Sequence, residues 1–296
     1  GVVTLQSTFG AFAALKEEGS VVSWGDPGMG SCSAVVEGRL KSGVVALQSN
    51  HGAFAALKAA GAVVTWGDPA LGGDSSAVAQ ELAGDVVGVY STHHMAFAAL
   101  KATGKVVTWG VAELGGSSSS VEKELQSGVA EVYSNHGAFA ALKTGGAVVT
   151  WGNRVHGGDS AAVALELASG VVSVHSTHGA FAALKQSGSV VTWGAAERGG
   201  DSSAVMRELA GGVVALHTYS HSNSHCHSNN HGAFAALKVD GAVVTWGDSR
   251  LGGDSSAVAG ELAAGVTAVH ANNFAFAALK ECDGPCVSPC SLSAES

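Results

Sequence analysis

The chain has 296 residues, a formal charge of −9 and 13% charged residues, with 42 glycines and 4 prolines. That balance is too apolar for a disordered chain and too aperiodic in glycine for collagen. Its 15 Lys and Arg are spread out, so it lacks the clustered cations that displace counterions from nucleic acid, and no nucleic-acid partner is expected.

Taken in order, the chain opens at Gly1 rather than methionine. That start carries two expectations: a removed leader, with a secreted or organelle-lumen compartment, or a numbering that begins inside a longer product. No uninterrupted apolar run reaches the ~18 residues that cross a bilayer, so a soluble chain without membrane insertion is expected. The run "GVVTLQS" is β-branched and alternating, which predicts a strand. "AFAALK" follows at Ala11. Propensity alone reads it as helix, but six residues between a polar turn and a glycine-containing turn are too few for one, so a strand is predicted. A turn of the "KAAGA" kind then leads to "VV(S/T)WG", a third strand left through glycine.

This unit recurs. "AFAALK" begins at Ala11, Ala53, Ala96, Ala138, Ala180, Ala233 and Ala275, at spacings of 42, 43, 42, 42, 53 and 42 residues. The third-strand block places Trp24, Trp66, Trp109, Trp151, Trp193 and Trp246 in the first six units. Between blocks runs a variant of "GGDSSAVxxELAxGVVxVxST". In unit two, Asp74 is a cap candidate, Val78 and Leu82 lie four apart and Gly84 is a stop, which predicts one or two helical turns on a rim.

Three short strands cannot bury both faces alone, whereas seven such sheets packed radially can. The expected fold is therefore all-β: a seven-bladed β-propeller of three-stranded blades with short rim helices, one repeat domain over 1–296. The tryptophans belong to the outer strands and pack between blades. A linear solenoid is the rival architecture, but it wants capping ends that the sequence does not offer.

Two places break the repeat. Unit six carries a His-rich insertion, 218–229, within "HTYSHSNSHCHSNNH", which looks like "YS-H-SN" copied more than once. Unit seven has no tryptophan and runs into "ECDGPCVSPCSLSAES", a cysteine-bearing tail over 281–296. Gly284 aligns there with the turn glycine, so "PCVSPC" reads as a degenerate third strand. A strand upstream of Gly1 is the alternative means of closing the ring.

The wording "H-x-x-x-A-L-K-x-x-G-x-V-x-x-W-G", as in "HGAFAALKAAGAVVTWG" from His51 to Gly67, resembles the regulator of chromosome condensation family of propellers. The short period looks more like that family's compact seven-bladed members, one of which is a secreted inhibitor of β-lactamase. The resemblance covers nearly the whole chain. It implies the fold and leaves function open, because one scaffold hosts exchange factors, inhibitors and adaptors.

Several residues invite chemistry. His221, His225, Cys226 and His227 of the insertion are borderline ligands of the kind zinc, copper or nickel prefer. Their spacing matches no recognised finger or catalytic pattern, and the first reading is a slipped duplication that lengthened a surface loop. No cofactor is expected, with adventitious zinc, nickel or copper at that loop as the alternative. A histidine precedes "GAF" or "MAF" at His51, His94, His136, His178 and His231, with Phe9 and Asn273 in the other units. It is expected to order the strand entry through backbone hydrogen bonds, with an anion or metal collar as the alternative. Asp68 and Asp74 are too few oxygens for calcium and read as turn residues. Cys32, Cys282, Cys286 and Cys290 are disulfide candidates for stapling the ring where units one and seven meet, against reduced and incidental thiols.

No P-loop, dinucleotide fingerprint, Gly-x-Ser-x-Gly or zinc-protease helix is present. The expected function is therefore non-enzymatic: a scaffold binding protein partners through a propeller face or blade-edge loops, as an accessory or structural subunit of a larger assembly. The alternative is a secreted or lumenal inhibitor or ligand-binding module. A guanine-nucleotide exchange role is third.

Overall fold

Each repeat folds as an antiparallel meander, and the computed structural model describes residues 1–93, 95–218 and 232–280. Blade one holds β1 (Val2–Ser7), β2 (Ala11–Lys16) and β3 (Val21–Gly25). Blade two holds β4 (Val44–Ser49), β5 (Ala53–Lys58) and β6 (Val63–Gly67). Blades three and four follow with β7 (Val86–Ser91), β8 (Ala96–Lys101), β9 (Val106–Gly110), β10 (Val129–Ser134), β11 (Ala138–Lys143) and β12 (Val148–Gly152). Blades five and six hold β13 (Val171–Ser176), β14 (Ala180–Lys185), β15 (Val190–Gly194), β16 (Val213–His217), β17 (Ala233–Lys238) and β18 (Val243–Gly247). Blade seven has β19 (Val266–Ala271) and β20 (Phe276–Lys280) among the described residues. The fold is all-β with seven blades of propeller type, as the repeat predicts.

"AFAALK" becomes a strand because packing overrides its helical propensity. In β5, Ala53, Ala55 and Leu57 face blade three, while Phe54 and Ala56 face blade one. Neighbours cover both faces so closely that Ala53, Ala55 and Ala56 have no exposed surface. Phe54 lies directly across from Trp66 in register, and their rings stack at 5.2 Å. Burying one such aromatic contributes about 1.5–3 kcal/mol, so the junctions between blades carry much of the stability.

Each junction is also keyed. Gly72 sits at a positive φ of 97°, and a Cβ there would lie 2.8 Å from the ring of Phe97. The glycine opens the slot that the next blade's phenylalanine fills. Backbone bonds tie blade to blade as well: Val86 N donates to Gly61 O at 3.0 Å, and Val171 N to Gly146 O at 2.9 Å.

The rim segments form the expected helical turns, mostly as single 3₁₀ turns such as Ser76–Val78 and Glu81–Ala83. One leucine per segment, including Leu40, Leu82, Leu125, Leu167 and Leu209, plugs the junction beneath. The strand lysine holds each segment in place: Lys101 Nζ donates to Glu81 O at 2.8 Å and Lys143 Nζ to Glu124 O at 2.6 Å. This satisfies carbonyls that the short turn leaves open.

The end blades differ. Phe12 and Trp24 are 43% and 46% exposed, whereas Phe54 and Trp66 are buried. Ala275, Ala277 and Leu279 on the far face of blade seven are exposed too. Packing of blade one against blade seven, expected from ring closure, is therefore not made by these faces among the described residues. The segment expected as the third strand of blade seven lies beyond Lys280, outside them.

Candidate interaction site

The connections from inner to middle strands share one end of the blades with the turns that follow the third strands. A single polar residue fixes each connection. Asn135 Oδ1 accepts from Gly137 N at 3.1 Å and Ala138 N at 2.9 Å, and its Nδ2 donates to His156 O at 2.7 Å. Asn50 makes the same three bonds to Gly52, Ala53 and Leu71. Threonine substitutes in other blades: Thr177 Oγ1 accepts from Ala180 N at 3.1 Å and donates to Arg198 O at 2.8 Å. These residues order the strand entry through their side chains. Sequence reasoning passed over them because Asn and Thr alternate at the position, which hides a shared role in accepting from the backbone.

The histidines that follow form a row along that end. Phe9 stacks on His51 at 5.0 Å, His93 on His136 at 5.3 Å, and His136 lies 3.7 Å from His178. His156, from the turn after β12, meets His136 and His178 edge-on at 5.5 and 6.0 Å. Backbone rungs run beneath the rings: Phe9 N donates to His51 O and His136 N to His178 O, at 2.8 and 3.2 Å. In blade three the rung belongs to His93, whose N donates to Asn135 O. Unit three carries one extra residue here, so counting back from "MAF" reaches His94, which lies outside the described residues.

Burial pushes the pKa of His93 down, with His51 adding to the effect. Burial also lowers that of His156, helped by the Arg198 charge and opposed by Glu197. A second row lies on the inner strands at the equivalent positions Gln6, Gln48, Tyr90, Tyr133, His175, His217 and His270. There burial pushes His175 down to about 4, with His217 adding to it, and lowers His217, with His270 adding to it. Tyr133 is raised by burial and by its hydrogen bond to Glu131. Burial therefore favours the neutral form of His93, His156, His175 and His217.

Among the described residues no group of three or more His, Cys, Asp or Glu is arranged to hold a metal ion. His221, His225, Cys226, His227 and His231 lie outside the described residues, as do Cys282, Cys286 and Cys290. Cys32 is exposed on the turn after β3. The insertion joins β16 to β17, the same connection that carries the histidine row in other blades. Asp68 and Asp74 are turn residues: Asp68 Oδ1 accepts from Ala70 N and Asp74 Oδ1 from Ser76 N. Five tryptophans, Trp66, Trp109, Trp151, Trp193 and Trp246, are buried between blades as expected.

With seven sheets in order, a Trp-bearing third strand in six of them and the glycine-slot junctions, the architecture is decided. The repeat fold is that of a seven-bladed β-propeller, and it is similar to the regulator of chromosome condensation propellers. No protein-family model and no curated protein matches this propeller. Among solved structures it is similar to Prp20p from Saccharomyces cerevisiae, at 16% identity and a TM-score of 0.45, covering 95% of this chain and 77% of that one. It is also similar to the ectodomain of the Arabidopsis thaliana receptor kinase ACR4, at 13% identity and a TM-score of 0.44, covering 84% and 81%. The ectodomain of the Physcomitrella patens receptor kinase CR4 matches at 16% identity and a TM-score of 0.42, over 83% of this chain. The propeller spans 62% of that ectodomain's length. No helix among the described residues is long and apolar enough to cross a membrane.

Proposed function

We propose that this propeller is a non-enzymatic scaffold, an accessory or structural subunit that binds a protein partner at the end carrying the histidine row. One observation supports the reading above others. The connections there are pinned by Asn50, Thr92, Asn135 and Thr177, and they carry part-exposed imidazoles from blade two to blade five. A rigid, extended row of this kind suits a broad contact, because little conformational freedom is lost when a partner lands on it. Loops at blade ends also vary without disturbing the core, and the insertion of unit six falls at this end.

Crosslinking mass spectrometry in native extract tests this. The turns of Arg154, Arg198 and Arg250, which share the end of the row, are expected to be protected from chemical labelling by the partner, while Lys41 at the opposite end forms no crosslink to it. A His136→Glu, His178→Glu variant with an unchanged thermal midpoint is expected to lose the partner. Retention of the partner by that variant, or migration of the native protein as a free species, overturns the reading.

A further inference from the structure

We propose that the turns after β12 and β15 build a binding site for an oxyanion group, a carboxylate or a phosphate, held by His156 and Arg198 beside His136 and His178. Each turn after a third strand places one side chain directly before the slot glycine. It is Met29, Leu71 and Leu114 in blades one to three and Leu251 in blade six. Met29 and Leu71 press on Gly52, where a Cβ would lie 3.3 Å from Met29 Sδ and 2.7 Å from Leu71 Cδ1. In blades four and five the position passes to His156 and Arg198. They press on the equivalent glycines: a Cβ on Gly137 would lie 2.8 Å from His156 Nδ1, and one on Gly179 would lie 3.3 Å from Arg198 Cγ.

Breaking the apolar rule of the repeat at two successive turns is costly. His156 Nδ1 is buried and finds no hydrogen-bond partner, a penalty that the leucine of other blades avoids. Where a chain departs from its own local rule at such a cost, the departure marks a site kept for use.

The chemistry of the pair selects the ligand. A proton on Nδ1 would be a buried N–H without an acceptor, so His156 carries its proton on Nε2 and offers one donor. Arg198 is a permanent cation with donors and no acceptor. Its charge reaches His156, where it reinforces the effect of burial and Glu197 opposes it. It also reaches Asp248, whose two carboxylate oxygens are already clamped by Arg250. His136 and His178 complete the wall, with rings 3.7 Å apart and His156 edge-on to both at 5.5 and 6.0 Å. All four side chains are half-buried, which shields a charge pair from water without closing the site. A guanidinium and an imidazole N–H together fit a group that only accepts hydrogen bonds, as carboxylates and phosphates do.

The site lies within the row assigned to the partner, so its natural occupant rests on that reading. Free anions probe the site without a partner, and either inference can fail alone. Nuclear magnetic resonance of the imidazole ring signals follows the full chain at neutral pH as inorganic phosphate or acetate is added, with chloride at matched ionic strength as control. Saturable shifts at His136, His156 and His178 are expected with the oxyanions and not with chloride. Tighter binding of phosphate points to a phosphorylated ligand, and tighter binding of acetate to an acidic side chain or chain end. His156→Leu and Arg198→Leu each restore the residue type that other blades carry. Each is expected to weaken oxyanion binding by about tenfold or more with a thermal midpoint that holds or rises. Circular dichroism checks folding, and His156→Met, the choice of blade one, replaces a variant that fails. A wild type that neither oxyanion saturates overturns the proposal, as do leucine variants that bind as tightly as the wild type.

Discussion

Trp66 Nε1 donates to the carbonyl oxygen of Gly30 at 3.0 Å, across a junction between blades and 36 residues back along the chain. The same glycine lends its bare Cα to the ring of Phe54. One residue therefore supplies both the acceptor for the tryptophan and the space for its stacking partner.

Replacing Trp66 with Phe keeps an aromatic ring but leaves the buried Gly30 carbonyl without its donor. The expected loss is about 1–3 kcal/mol, from an unsatisfied buried acceptor. Trp24→Phe, at the uncovered face, is expected to stay within about 0.5 kcal/mol. Urea unfolding of the two variants side by side measures the difference, and equal losses contradict the account.

Asn135→Ala removes an acceptor from two backbone N–H groups and a donor from His156 O. A loss of about 2–4 kcal/mol is expected, as for several buried polar groups orphaned together. Asn135→Thr is expected to recover most of it, because Thr177 makes the equivalent contacts in blade five. Thermal midpoints of the two variants distinguish a role of the side chain's bonds from one of its volume.

Asp85 is the one non-glycine residue with positive φ among the described residues, at 63°. Blades on either side use Gly43 and Gly128 at the equivalent turn, with φ of 72° and 76°. Asp85→Gly is expected to stabilise by about 1 kcal/mol, the order of the strain relieved in the left-handed region. A fall in midpoint counts against strain at this turn.

His93, His156, His175 and His217 all have pKa values below the ordinary 6.5. The unfolded chain then binds more protons than the folded one below pH 6.5, so stability falls as pH drops from there. For His175 the loss is complete near its folded value of about 4, and it amounts to about 3 kcal/mol. Thermal midpoints from pH 8 to 4 are expected to be flat above 6.5 and to fall below it. His175→Gln should flatten part of that slope, since Gln6 and Gln48 occupy the same place in blades one and two.

Period and composition made the blades legible. The six-residue length of "AFAALK" ruled out a helix, and a tryptophan in each of six units marked the junctions. Less visible were interactions that different residues make alike. Asn and Thr pin the same connection, and His93 takes a place that counting assigned to His94. The lysine of "AFAALK" reads as a polar strand end, yet its ammonium closes the rim segment of the junction it borders. Each depends on a partner about 20 or 42 residues away, which no local pattern announces.

The junctions have a further consequence for how the chain finds its own order. Because Gly30, Gly72, Gly115, Gly157 and Gly199 offer nearly the same slot, a newly formed blade has no chemical means of recognising its rightful predecessor. Only the short rim segment decides which neighbour arrives first, so correct stacking is a race won by proximity. A blade that skips one place leaves a looped-out repeat while still satisfying its slot. Lengthening a single rim segment with a flexible insert should therefore slow refolding and populate mis-stacked species far more than it weakens the finished array.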